Sequence, residues 1–112
     1  MKNNVVILGS TGSIGVNTLE VISIHPKKFN VFALAANSSI DKLSIQCQKF
    51  KPKYAYLKNE DDAHKLKFIL KKNNISTQVI FGSEDLNELV SSNPVDTVVC
   101  AISGSAGLES SI

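Results

Sequence analysis

The residues with the clearest chemical capacity lie near the start of the chain. Gly9-Ser10-Thr11-Gly12-Ser13-Ile14-Gly15 follows the apolar run Val5-Val6-Ile7-Leu8 and leads into residues with helical periodicity. At a strand-to-helix join of this kind, successive backbone N–H groups and the positive end of the helix dipole converge on an anion, and phosphate suits them best. Gly9 permits the tight turn, Gly12 lets a pyrophosphate approach the backbone without meeting a Cβ, and Gly15 lets the helix pack closely on the sheet. The spacing G-x-x-G-x-x-G is one residue longer than the strict dinucleotide fingerprint, so its position between strand and helix carries the assignment. Ser10, Thr11, Ser13 and Ile14 complete the loop as phosphate contacts, and no base in sequence view marks its hydroxyls as nucleophiles. The alternative is a glycine-rich turn that only satisfies backbone geometry.

Two further segments fall where a dinucleotide would extend. After the second apolar run, Val31 to Ala36, come Asn37, Ser38 and Ser39, where an NAD-specific site carries an acid for the ribose 2′-hydroxyl. With no carboxylate to repel a 2′-phosphate and three hydrogen-bonding side chains, the segment favours NADP(H) over NAD(H), with Lys42 one turn further on. The same three residues also suit a turn and a helix N-cap. Ala101 and Ile102 end the last apolar run beside Ser103-Gly104, small enough for the nicotinamide half to approach; a plain strand-to-helix turn is the other reading. No catalytic group, carboxylate pair or metal constellation is evident. His25, before Pro26, reads as a helix C-terminal residue, and His64 as part of a charged helix face.

These residues need a scaffold that alternates strand and helix. Strands are expected at Val5–Leu8, Val31–Ala36, Tyr54–Leu57, Val79–Phe81 and Thr97–Ile102. Helices are expected from Ser13 to Pro26 with Ile14, Val16, Leu19, Val21, Ile22 and Ile24 as apolar positions, and from Ile40 to Phe50 with Ile40, Leu43, Ile45 and Cys47. A third helix opens on Glu60-Asp61-Asp62 and ends in Lys71-Lys72, the charge order a helix dipole favours, with Leu66, Phe68, Ile69 and Leu70 facing in. A fourth runs from Ser83, its expected N-cap, with Leu86, Leu89 and Val90 inward. The pattern predicts an α/β fold, a Rossmann-like doubly wound parallel sheet of about five strands with helices on both faces. Right-handed crossovers suggest strand order 3-2-1-4-5 and a crevice above strands 1 and 4.

Composition supports one globular domain over residues 1–112, with 43% hydrophobic and 20% charged residues. All 12 basic residues are Lys against 10 acids, a net +2 with neither Arg nor a basic cluster, which argues against nucleic-acid binding. Cys47 and Cys100 lack metal or disulfide spacing, no leader is visible before the first strand, and no apolar stretch approaches the roughly 18 residues of a membrane span. A soluble cytoplasmic protein is expected. The chain stops at Ile112 inside a presumptive sixth element, as a fragment does, or as a frayed natural terminus does.

Taken together, Val6-Ile7-Leu8-Gly9-Ser10-Thr11-Gly12-Ser13-Ile14-Gly15, Thr18-Leu19-Glu20-Val21-Ile22, His25-Pro26, Val31-Phe32-Ala33-Leu34-Ala35-Ala36 and Val98-Val99-Cys100-Ala101-Ile102-Ser103-Gly104-Ser105-Ala106-Gly107-Leu108 resemble the 1-deoxy-D-xylulose 5-phosphate reductoisomerase family. The resemblance spans nearly the whole chain and implies that family's N-terminal NADPH-binding domain. It implies Thr11, Gly12, Ser13 and Ile14 on the cofactor's phosphates and nicotinamide side, and Asn37, Ser38 and Ser39 on the adenosine ribose and 2′-phosphate. The family commonly has Gly, a basic residue and Asn at those last three positions, so this sequence departs at each. The complete family enzyme is implied to be a homodimer that isomerises a sugar phosphate and reduces the product with NADPH and a divalent metal, Mg or Mn. Its metal and substrate ligands fall outside the matched stretches, so this chain alone is expected to be inactive. A non-enzymatic dinucleotide-sensing domain of the same architecture is the alternative function.

Overall fold

A computed structural model describes residues 3–36, 39–91 and 95–101. The apolar runs become β1 (Asn3–Leu8), α1 (Ser13–Ile24), β2 (Phe29–Ala36), α2 (Ile40–Phe50), β3 (Tyr54–Leu57), α3 (Glu60–Lys72), β4 (Gln78–Phe81), α4 (Ser83–Val90) and β5 (Thr97–Cys100). Every strand pairs with its neighbours in parallel, in the order β4-β3-β2-β1-β5. A parallel sheet buries both faces, which is why β1 and β2 are continuous apolar runs and not alternating ones.

On one face, Val5, Ile7, Val31 and Leu34 pack with Leu19 and Ile22 of α1, Leu43 and Cys47 of α2, and Leu66 and Leu70 of α3. Burying a leucine such as Leu43, Leu66 or Leu70 contributes about 1.5–3 kcal/mol. On the other face, Val6, Phe32 and Ala33 pack against Leu89 of α4. Phe32 and Ala33 share that face despite being consecutive because the β1–β2 register shifts between Val5 and Val6, which pair with Val31 and Ala33. Three helices therefore cover one face while the strands step outward from β1 to β4. The fourth crosses the opposite face and returns the chain to the far side of β1.

That path corrects the expected strand order. β4 extends the sheet beyond β3, and β5, not β4, lies against β1. Val79-Ile80-Phe81 and Thr97-Val98-Val99-Cys100 are both short apolar runs, and nothing in either says which edge it takes. The outer strand β4 is only half-buried, as an edge position allows. The winding direction consequently reverses between β1 and β5.

The helical stripes are narrower than expected. In α1 only Gly15, Leu19 and Ile22 are buried, at spacings of one helical face, whereas Ile14, Val16, Val21 and Ile24 are exposed. Ile45, two residues from both Leu43 and Cys47, points away from the sheet, as does Phe68, two residues from Leu66 and Leu70. α3 is built as its charges suggest, with Glu60, Asp61 and Asp62 in its first turn and Lys71 and Lys72 in its last. Its cap is Asn59, whose side chain accepts from the Asp61 N–H at 2.8 Å. Ser83 is not a cap but the first residue of α4. Gly82 takes the cap position at φ 90°, because the chain leaving β4 turns through left-handed backbone that suits glycine, and the helix starts at once. β5 ends at Cys100, two residues before the expected limit; the Ala101 N–H still bonds to Leu8 O at 2.7 Å, and Ile102 and the presumptive sixth element lie outside the described residues.

Candidate anion-binding site

The loop from Gly9 to Gly15 leaves the carboxyl end of β1, beside the point where the winding reverses. Gly9 adopts φ 85°, a left-handed turn that glycine enters without a Cβ penalty. The N–H groups of Gly9 and Ser10 both donate to Ala35 O of β2, at 2.8 and 3.0 Å, and Gly12 N–H donates to Gly9 O at 3.2 Å. The first helical bond runs from Val16 N–H to Gly12 O, at 2.9 Å. Thr11, Ser13, Ile14 and Gly15 are left with backbone N–H groups that have no backbone partner among the described residues. α1 also has no acidic residue in its first turn, whereas α2 carries Asp41, α3 three acids, and α4 Glu84 and Asp85. The positive end of the α1 dipole is thus unneutralised by its own side chains.

Gly12 and Gly15 do different work. A Cβ built at Gly15 would meet Gly9 O and stand 2.6 Å from Ser10 Cα, so this glycine is what allows the helix to sit against its own loop. A Cβ at Gly12 would lie 3.6 Å from Gly9 O and 3.8 Å from Ala101 O, ordinary contact distances. With φ −78° and ψ 172°, Gly12 has a conformation open to any residue, so the fold itself does not demand glycine there. The same distances place Ala101, the residue after β5, next to Gly12.

Ser10 is fully buried, and its hydroxyl donates to Gln46 Oε1 of α2 at 2.7 Å; Gln46 Nε2 donates back to Ser10 O at 2.8 Å. Its hydroxyl and N–H are both engaged, so Ser10 anchors the loop, while Thr11 and Gly12 are half-buried and Ser13 and Ile14 exposed at its mouth. Gln46 escaped the sequence reading: a glutamine between exposed Ile45 and buried Cys47 carries no motif, and only its place on the half-buried side of α2, one residue before Cys47, hinted at an inward role.

Ser39 takes the N-cap position of α2, yet its hydroxyl makes no cap bond. It lines a groove of about 810 Å³ between α2 and α3 together with Lys42, His64, Lys65, Phe68 and Ile69. That groove meets the expected site at Ser39 and at Lys42 one turn further on, and no residue of the glycine loop lines it; an anion held by backbone N–H groups at a sheet edge needs no deep cavity. Asn37, Ser38 and Ile102 lie outside the described residues. The structure thus brings together Gly9, Ser10, Thr11, Gly12, Ser13, Ile14, Gly15 and Ala101, with Ser39 at the start of α2.

Cys47 is buried, and burial pushes its thiol up to about 12, holding it neutral and inert. His64 is exposed, 3.3 Å from Glu60 one turn away, and His25 ends α1 with its N–H on Ile22 O. Among the described residues no three His, Cys, Asp or Glu side chains converge as metal ligands, and no helix is long and apolar enough to cross a membrane.

The family model of 1-deoxy-D-xylulose 5-phosphate reductoisomerase matches residues 5–112. The chain is similar to the 1-deoxy-D-xylulose 5-phosphate reductoisomerase of Nitrosospira multiformis, 46% identical over 91% of this chain and 26% of that protein. It is also similar in structure to a DOX-P reductoisomerase solved with magnesium, with TM-score 0.86 and 37% identity over 96% of this chain and 27% of the other. Another DOX-P reductoisomerase, solved with NADPH, fosmidomycin and magnesium, superposes with TM-score 0.84 and 36% identity over 89% of this chain and 24% of that one. The chain therefore spans about a quarter of the length of these relatives.

Proposed function

The chain belongs to the 1-deoxy-D-xylulose 5-phosphate reductoisomerase family, and from that membership we propose that residues 1–112 are the NADP(H)-binding domain of such an enzyme. The observation that carries this reading is the set of N–H groups at Thr11, Ser13, Ile14 and Gly15 that have no backbone partner among the described residues, beside a Gly12 whose missing side chain the fold does not require. Those donors suit a pyrophosphate, and a structural relative bears NADPH. On this reading Gly9 and Gly15 shape the loop, and Gly12 admits the pyrophosphate. Asn37, Ser38 and Ser39 receive the adenosine ribose and its 2′-phosphate, while Ala101 and Ile102 flank the nicotinamide.

Bound NADPH supplies a hydride. The chain's own part is to fix the cofactor at the carboxyl edge of the sheet and keep the nicotinamide end against small residues. Positioning of this kind contributes to rate only when the acceptor is held with equal precision. The sugar-phosphate substrate and the divalent metal belong to the remainder of a complete enzyme. The described residues offer no converging ligand set for the metal. A homodimeric assembly and a cytoplasmic location follow the same proposal. A non-enzymatic sensor finds no support among the relatives described. Calorimetric titration of the purified chain with NADPH and NADH tests the reading. Tighter binding of NADPH is expected from the absence of an acid at Asn37-Ser38-Ser39, and equal or reversed affinities overturn the NADP(H) preference.

A further inference from the structure

Resting on the cofactor reading above, we infer that Gln46 is a positioning residue for the pyrophosphate: its two hydrogen bonds to Ser10 hold the Ser10–Thr11 peptide in the orientation that presents the Thr11 N–H to an anion. The peptide unit is planar and trans, so the Ser10 carbonyl and the Thr11 N–H leave opposite edges of one plane. Gln46 Nε2 draws the carbonyl toward α2 at 2.8 Å, which sends the Thr11 N–H the other way, and that N–H has no backbone partner among the described residues. The second bond, Ser10 Oγ to Gln46 Oε1 at 2.7 Å, fixes which end of the amide faces the carbonyl, because the hydroxyl donates and the amide oxygen must accept.

The neighbouring peptide bonds cannot do this job. Gly9 and Ser10 N–H groups are tied to Ala35 O on the sheet side, and Gly12 N–H bonds within the loop, so among the described residues the hydrogen bonds that secure the Ser10–Thr11 unit come from α2. A flip would turn the Thr11 N–H into α2 and present the Ser10 carbonyl oxygen to the phosphates, replacing a donor by an acceptor at an anion site. Ser10 is fully buried, so both of its polar groups need partners whether or not a ligand is bound, and Gln46 keeps the loop in its ligand-ready form in the free protein.

The test uses the purified chain, NADPH and three substitutions, followed by calorimetry and by amide NMR. Gln46→Met keeps the length and removes both bonds; it should weaken NADPH binding about tenfold. At saturation the downfield shift of the Thr11 amide proton should be lost, while those of Ile14 and Gly15 persist. Gln46→Glu keeps an acceptor for Ser10 Oγ but sets carboxylate oxygen against the Ser10 carbonyl, and should lose the Thr11 signature likewise. Ser10→Ala keeps the amide-to-carbonyl bond but removes the one that orients the amide, and should weaken the Thr11 signature less than Gln46→Met does; should Gln46→Met not fold, Gln46→Glu decides. An unchanged affinity and Thr11 shift in Gln46→Met or Gln46→Glu overturns the proposal, as does a uniform loss at Thr11, Ile14 and Gly15, which a purely structural role would produce. Failure of the parent chain itself to bind NADPH overturns the cofactor reading, and this inference with it.

Discussion

Adding one methyl group at each of two glycines separates what the fold needs from what a ligand needs. At Gly15 the new Cβ would stand 2.6 Å from Ser10 Cα and 2.7 Å from Ser10 C, against backbone that cannot swing aside like a flexible side chain. Overpacking of this kind costs about 1–3 kcal/mol, and rigid neighbours place Gly15→Ala at the upper end. Alanine's better helix propensity returns up to about 1 kcal/mol, leaving a net loss of about 2 kcal/mol. In a domain of this size that lowers the melting temperature by roughly 8–12 °C. At Gly12 the Cβ would sit at ordinary contact distances of 3.6 and 3.8 Å in a backbone conformation open to alanine. Stability of Gly12→Ala should change by no more than about 1 kcal/mol, since alanine caps a helix less well than glycine but also restricts the unfolded chain. Its NADPH affinity should nevertheless fall by about tenfold or more, because the methyl occupies the approach of the pyrophosphate. Thermal melts read by circular dichroism and calorimetric NADPH titrations of both variants give the answer. A Gly15→Ala chain as stable as the parent would refute the packing argument, and a stable Gly12→Ala chain with unchanged NADPH affinity would refute the ligand argument.

Other outcomes follow from the same structure. A thiol reagent at neutral pH should modify Cys100, which is exposed, and spare Cys47 until denaturant is added; two thiols reacting at equal rates in the folded chain would contradict the burial. Because burial raises the Cys47 thiol from its ordinary 9.0 to about 12, its neutral form is the one the fold favours, and stability should fall as pH rises through that window, where the unfolded thiol ionises first. Replacing Cys47 by alanine should remove that alkaline component, and an identical pH profile would assign it elsewhere. The chain alone, given NADPH, magnesium and 1-deoxy-D-xylulose 5-phosphate, should show no sustained loss of the reduced-nicotinamide absorbance, and substrate-dependent oxidation would mean that these residues contain a catalytic group.

Much of the architecture was legible because parallel strands buried on both faces have few alternatives to continuous apolar runs, and Val5-Val6-Ile7-Leu8 and Val31 to Ala36 lie within β1 and β2, each of which starts two residues earlier. The α2 boundaries, Ile40–Phe50, and the acid-to-lysine order of α3 were equally open, the first set off by Pro52 and the second by the helix dipole. Strand order was not legible, because it depends on which sheet edge a crossover reaches, and the four residues of β4 and of β5 do not encode that choice. Apolar residues on α1 misled for a different reason. Ile14, Val16, Val21 and Ile24 are as hydrophobic as Leu19 and Ile22, but a helix of this pitch turns only one stripe to the sheet. At the site, the glycines announced the loop, whereas the Gln46 contact joins positions 36 residues apart and needed the packed α2 to become visible.

The most direct measurement is a crystal structure of the purified chain with NADPH. The pyrophosphate should lie at the N-terminus of α1, above β1 and β5, within hydrogen-bond reach of the Thr11, Ser13, Ile14 and Gly15 N–H groups, with Gly12 against the phosphates and Ala101 toward the nicotinamide. A cofactor whose pyrophosphate lies instead in the groove of Lys42, His64 and Lys65 between α2 and α3, with the glycine loop empty, would contradict it.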